Sequence, residues 1–297
     1  MRPNFLIVGA PRCGTTALYE GLAQHPDVFM SPRKEPWFAG FTGDPGPWRG
    51  PLDAQPVRDW DEYERLFDGA DGFAAVGEAS TLYLAYEDAP RRIRESLPGV
   101  RIIAIVRDPT QRAYSNFLEH VQEGRERELD FARALAAEPE RRRRGWAPSW
   151  GYAALGRYGQ QLTRYFAEFP REHMLVMLYE DLRERAALYG RVFSFLGVDP
   201  SFVPDLPQRT NQNSGIPKSP LLHKVLTSPN PLRRALRSVL SDSQRHKVRS
   251  WLLNQSLERP QLDPVLRQAL TARFRDDILR TSDLLERDLS SWLSPLE

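Results

Sequence analysis

The sequence predicts an α/β fold: a parallel β-sheet flanked by helices, followed by a mainly helical C-terminal region. Three observations carry this. Short apolar runs stand at 5–9, 101–106 and 173–178, the second of them rich in β-branched residues. A stretch with helical spacing follows the first two and precedes the third, and strands alternating with helices in this rhythm form parallel sheets. Beyond residue 220 the strand pattern stops, and charged, helical spacing takes over.

The elements follow in order. Residues 5–9 (FLIVG) lie between Pro3 and a Gly/Pro loop and read as a buried strand. Residues 15–23 read as a helix, with Leu18 and Leu22 on one face, ended by His25 and Pro26. A short strand is expected at 28–30. Residues 39–60 are rich in Gly, Pro and Trp and read as a surface loop forming a rim or lid. A short helix at 63–67 and a strand at 74–78 come next. The clearest strand is 101–106 (RIIAIV), followed by a helix from 110 to about 122 with Ala113, Phe117 and Val121 four apart. Helices are expected at 131–137, 158–169 and 188–196, the last stopped by Gly197. Residues 199–220 read as a loop. From 221 to 293 the chain reads as helical, with breaks at Pro229, Pro231, Pro260 and Pro264. One domain over 1–297 is expected, with a core at about 3–220 and a helical extension at about 221–297.

Composition narrows the function classes. The 297 residues are 41% hydrophobic and 27% charged, unlike a disordered chain. With 41 basic against 39 acidic residues, no global basic field for nucleic acid exists. No apolar run reaches the ~18–20 residues of a membrane span, and the N-terminus does not read as a signal peptide. A single cysteine, Cys13, allows no intrachain disulfide, and a reducing cytoplasm is the expected location. No His/Cys/Asp cluster reads as a metal site.

The first loop, Gly9-Ala10-Pro11-Arg12-Cys13-Gly14-Thr15-Thr16, has the spacing of a phosphate-binding loop between a strand and a helix. Its glycines let the backbone approach a phosphate, its amides form an anion-binding nest, and the helix adds its positive end. The fold is therefore read as P-loop-type. A nucleoside-triphosphate loop carries Lys where this chain has Thr15, which turns the reading away from triphosphate cleavage. Cys13 has two readings, a thiolate nucleophile beside Arg12 or a small residue fitted against the cradle. A second constellation lies at the end of the 101–106 strand. Arg107 stands where open α/β sheets bind ligands, and Ser115 follows eight residues on. Together they can hold a second phosphate. An Arg107–Asp108 ion pair and a metal-binding Asp108 are the competing readings.

With 5–16 followed by Arg107-Asp108-Pro109-Thr110-Gln111-Arg112-Ala113-Tyr114-Ser115, the chain resembles the sulfotransferases that use 3′-phosphoadenosine 5′-phosphosulfate (PAPS). Lys34-Glu35-Pro36-Trp37-Phe38, Gly77-Glu78-Ala79-Ser80, Gly156-Arg157-Tyr158 and the loop 213–219 resemble the heparan-sulfate-type and bacterial carbohydrate or small-molecule branch. The resemblance covers about 5–219. It implies that Arg12, Cys13, Gly14, Thr15 and Thr16 hold the 5′-phosphosulfate, that Arg107 and Ser115 hold the 3′-phosphate, and that Lys218 closes over it. It implies Glu35 as base, with a plain Lys34–Glu35 surface pair as the competing reading, and Arg12 as stabiliser of the leaving phosphate. Tyr158, Glu119, His120 and Trp37 are candidates for substrate contact; a core or solvated role competes for Tyr158, Glu119 and His120. Ala79 departs from the family, whose heparan-sulfate members carry Lys there, and sets a heparan-type substrate in doubt. The implied activity is O-sulfation of a carbohydrate, lipid or small-molecule hydroxyl with release of 3′-phosphoadenosine 5′-phosphate (PAP) and without a metal. A P-loop small-molecule kinase and a non-catalytic nucleotide-binding protein are the alternatives. The run 141–144 reads either as an anion attractor or as a solvated face.

Overall fold

The computed structural model describes residues 1–41, 48, 56–206, 215–217, 257–258 and 260–294. Its centre is a five-stranded parallel sheet of β1 (Phe5–Gly9), β2 (Val28–Met30), β3 (Ala75–Ala79), β4 (Arg101–Val106) and β5 (Met174–Leu178). The spatial order is β2-β3-β1-β4-β5. Strands β1 and β3 are buried at every residue, as a sheet covered on both faces requires. From β1 the chain goes to the edge at β2 and returns to β3 beside β1, then crosses to the other side of β1 through β4 and β5. The order therefore reverses at β1, and the crevice beyond its C-terminal end is the topological switch point where such sheets take ligands.

Among the described residues eight α-helices pack around the sheet: α1 (Thr15–Leu22), α2 (Trp60–Arg65), α3 (Ala89–Ser96), α4 (Pro109–Gln122), α5 (Phe131–Arg143), α6 (Tyr158–Glu168), α7 (Arg185–Leu196) and α8 (Pro264–Leu285). The sequence pattern located five of these within three residues at each end. It missed α3, whose run APRRIRES buries only Ala89, Pro90 and Ile93 and so has a narrow apolar face. It ended α5 too early: the helix continues through Pro139 to Arg143, held at its start by Asp130, which accepts from the Arg133 amide at 3.0 Å. Pro264 does not break a helix but opens α8, where the missing N–H costs nothing. Leu257–Glu258, expected to be helical, instead pairs as a short antiparallel strand with Ile216–Pro217. Residues 218–256 and 259, most of the 39–60 loop and residues 207–214 lie outside the described residues.

The helix α8 is joined to the core by polar contacts. Arg267 donates to Asp108 at 3.3 Å, and the Thr110 and Thr271 hydroxyls are 3.0 Å apart. No side chain of its own caps α6; instead Asp277 of α8 accepts from the Gly159 and Gln160 amides at 2.9 and 3.1 Å. Further on, Arg287 reaches Asp181 at 3.1 Å. No helix among the described residues is long and apolar enough to cross a membrane.

Candidate active site

At the switch point β1 delivers the loop 9–14 to the sheet edge. Gly14 takes φ +92°, which an L side chain rarely adopts, and a Cβ there would come within 2.4 Å of Leu182. It opens α1, which no side chain caps. The first amides of α1, at its positive end, therefore face the loop. Beneath the loop, Cys13 is fully buried with its Sγ 3.6 Å from the Tyr158 hydroxyl. Burial pushes the thiol up to about 11, against the opposing charge of Arg112. It stays protonated at neutral pH, which favours the fitted-residue reading over the nucleophile.

Arg12 (φ +69°) leaves the loop toward α4. Its Nε donates to Ser115 Oγ at 3.1 Å, and its Nη1 forms an ion pair with Glu119. Spacing alone could not assign Glu119, nearly three turns into α4; the structure brings it into the site as the partner of the loop arginine. Arg107 turns elsewhere, donating to Gln111 at 2.9 Å with its guanidinium carbon 4.5 Å from the Tyr179 ring centroid. Ser115 thus meets Arg12, while Arg107 is held by Gln111 and Tyr179. Asp108 caps α4, accepting from the Thr110 amide at 2.8 Å, and pairs with Arg267. Among the described residues no group of three or more His, Cys, Asp or Glu is placed to hold a metal.

The segment after β2 crosses in front of the loop. Lys34 Nζ donates to Thr16 Oγ1 at 2.6 Å. Burial pulls this ammonium down, while Glu35, Glu119 and Glu20 oppose the shift and Arg12 adds to it. Sequence reasoning left Lys34 as a neighbour of Glu35. The signal that could have found it was the missing loop lysine: a P-loop without a cation at position 15 calls for one from another segment.

Glu35 adopts φ +58°, and its amide donates to the Ala79 carbonyl at 2.8 Å, fixing the segment to the end of β3. Its Oε2 accepts from the Trp37 indole at 2.8 Å and the Thr81 amide at 2.9 Å; its Oε1 accepts from Thr81 Oγ1 at 2.9 Å. Burial pushes the carboxyl above its ordinary value, and Lys34 and these donors hold the rise in check. Such a carboxyl is tuned toward proton transfer at neutral pH. Of the four non-glycine residues with positive φ among those described, three are Arg12, Glu35 and Trp37. Strain of this kind concentrates at functional sites.

Behind Glu35 the carboxyl of Glu78 is wholly buried. Burial, with the nearby Glu35 charge, raises it to about 8 against hydrogen bonds from Ser80, Tyr83 and Tyr63.

The structure places the remaining candidates in the interior. Trp37, at 1% exposure, orients Glu35. Tyr158, also at 1%, supports the loop through Cys13, a core role rather than a pocket wall. His120, at 1%, lies between Asn116 (3.2 Å) and the Tyr152 hydroxyl (3.2 Å), and burial pulls it down to about 4. Neutral and enclosed, it belongs to the packing of α4. Lys218 lies outside the described residues.

Comparison with known proteins shows the family. A family model described as "Sulfotransferase domain" matches residues 2–214. Heparan sulfate glucosamine 3-O-sulfotransferase 6 of Mus musculus is 33% identical over 202 residues, covering 66% of this chain and 52% of that protein. The human bifunctional heparan sulfate N-deacetylase/N-sulfotransferase 3 is 28% identical, covering 67% of this chain and 23% of its own length. The chain therefore spans about half the length, or less, of these relatives. A solved sulfotransferase structure from Alicyclobacillus acidocaldarius is 35% identical, with TM-score 0.77, covering 99% of this chain and all of its own.

Proposed function

As the chain belongs to the sulfotransferase domain family, we propose that it transfers a sulfuryl group from PAPS to a hydroxyl of a carbohydrate, lipid or small molecule. One observation carries the reading: Arg12, Lys34 and the first amides of α1 gather at one end of the phosphate loop, with the Glu35 carboxylate next to Lys34. This cradle suits a phosphate ester, because its cations come from Arg12 and Lys34 rather than from a loop lysine.

The donor would supply the sulfuryl group and a phosphate leaving group. Glu35 Oε1, which accepts one hydrogen bond, has a lone pair left for the acceptor's hydroxyl and takes its proton as sulfur is attacked. Arg12 exchanges Glu119 for the negative charge that grows on the leaving oxygen. Its guanidinium acts electrostatically, since it does not give up a proton at neutral pH. Lys34, clamped on Thr16, holds the same phosphate from the other side. Arg107 and Ser115 are assigned to the 3′-phosphate.

The test is thermal. PAP at saturating concentration should raise the melting temperature, and ATP with magnesium should leave it nearly unchanged. The reverse pattern overturns the reading in favour of a triphosphate enzyme, and no response to either overturns nucleotide binding altogether.

A further inference from the structure

The proposed chemistry leaves one cavity without a role. Its volume is about 550 Å³, and it lies off the phosphate loop, walled by Arg125, Glu126 and Arg127 after α4, by Arg141 of α5, and by Trp146 and Trp150.

The wall is built rather than incidental. The buried Glu126 carboxylate accepts from both terminal nitrogens of Arg141, at 2.5 and 3.0 Å, from the Tyr152 hydroxyl at 2.9 Å, and from the Arg127 and Glu128 amides at 2.9 and 3.0 Å. So fixed, the Arg141 guanidinium carbon sits 5.1 Å from the ring centroids of both Trp146 and Trp150. The two indoles meet edge to face, 4.8 Å apart at 79°. Arg141 is therefore neither a solvated charge nor a free anion attractor. Arg125 pairs with Glu123, so two of the three cavity arginines face carboxylates and the lining is close to neutral.

The cavity wall is linked to the loop arginine through the end of α4, where Arg125 pairs with Glu123. Arg12 pairs with Glu119, one helical turn before Glu123. Burial pulls Arg125 down to about 10 and the Arg12 charge adds to it, as expected of near neighbours.

We propose that this cavity is the acceptor subsite and that it takes an uncharged sugar ring, its CH face on Trp146 and its hydroxyls on the surrounding Arg and Glu groups. The proposal rests on the sulfotransferase reading. A rigid aromatic face bordered by paired charges suits a neutral ring with many hydroxyls, because hydroxyls can give to Glu128, Glu126 being already filled by five donors, and take from a guanidinium. A polyanion would meet Glu126 and Glu128 with few uncompensated cations. A phenol would leave the charged rim without partners.

Titration of the PAP-loaded protein with cellobiose, a heparin-derived sulfated disaccharide and p-nitrophenol, followed by calorimetry, tests this. Cellobiose should bind most tightly of the three. Trp146→Ala should weaken it about tenfold, and Trp146→Phe should restore most of the loss. Both variants should keep the wild-type rise in melting temperature with PAP, which shows that they fold. Cellobiose binding that is absent, or indifferent to Trp146→Ala, overturns the proposal, as does tighter binding of either other probe. Loss of the PAP response in the wild-type protein instead overturns the sulfotransferase reading.

Discussion

Replacing Thr81 by Val isolates the environment of the proposed base. Thr81 Oγ1 donates to Glu35 Oε1 at 2.9 Å, while the Thr81 amide and the Trp37 indole hold Oε2. Valine keeps the shape and the amide but removes one of three donors. A hydrogen bond to a charged group contributes about 1.5–3 kcal/mol. Because Glu35 is partly open to solvent, the lower end applies, and at 1.36 kcal/mol per pH unit the carboxyl should titrate about one pH unit higher. The sign is fixed: the lost donor favoured the ionised form, so its removal favours the protonated one. The assay needs no acceptor. The ¹³C carboxyl resonance of Glu35 can be assigned by its absence in Glu35→Gln and followed against pH. Thr81→Ser, which keeps the hydroxyl, should titrate like the wild type. A Thr81→Val midpoint unchanged or moved downward would refute the claim that this hydroxyl tunes Glu35.

Further outcomes are expected elsewhere. Glu35→Gln should abolish sulfuryl transfer from labelled PAPS while PAP affinity, measured by calorimetry, stays within about twofold; full activity would remove Glu35 as base. Glu119→Gln should tighten PAP by up to about fivefold, since the partly exposed pair with Arg12, of about 0.2–1 kcal/mol, no longer competes with the ligand. Glu78 is protonated in the fold up to about pH 8, whereas in the unfolded chain it ionises near its ordinary value. Its contribution to stability therefore falls as pH rises between those two points. Glu78→Gln should flatten the melting temperature over pH 5–8, and a variant that keeps the wild-type slope refutes this. Asp277→Ala should remove the cap of α6, costing about 1–2 kcal/mol and lowering the melting temperature by several degrees.

The sheet was legible in the sequence because its strands are short apolar runs with little else in them. β1 and β4 fall where FLIVG and RIIAIV stand, to the residue. The loop at 9–14 was legible for the same local reason, since its turn chemistry is written in consecutive residues. What was not legible depends on crossings between distant segments. Nothing near Arg12 says that its guanidinium will meet Glu119, 107 residues away. Nothing in KEPW says that Lys34 will reach back 18 residues to Thr16. His120 and Tyr158 looked available because polar and aromatic residues on helices often are; only the packing of α4 on the 148–156 turns and of Tyr158 beneath Cys13 shows that they are enclosed. Arg141 misled in the other direction, since an arginine run gives no sign that one member folds inward onto two indoles.

The cap that α8 places on α6 has a consequence in time. The Gly159 amide and the Asp277 carboxylate that receives it are 118 residues apart in the chain. At a synthesis rate of roughly 5–20 residues per second, about 6–24 s pass between the emergence of the two. Once β5 has followed at residue 178, the sheet can be complete while the first turn of α6 still bonds to water or to a chaperone. The nascent enzyme thus has a late fastening step, and a ribosome that stalls between codons 178 and 277 leaves a chain with its full parallel sheet and a fraying helix, a natural substrate for quality-control proteases.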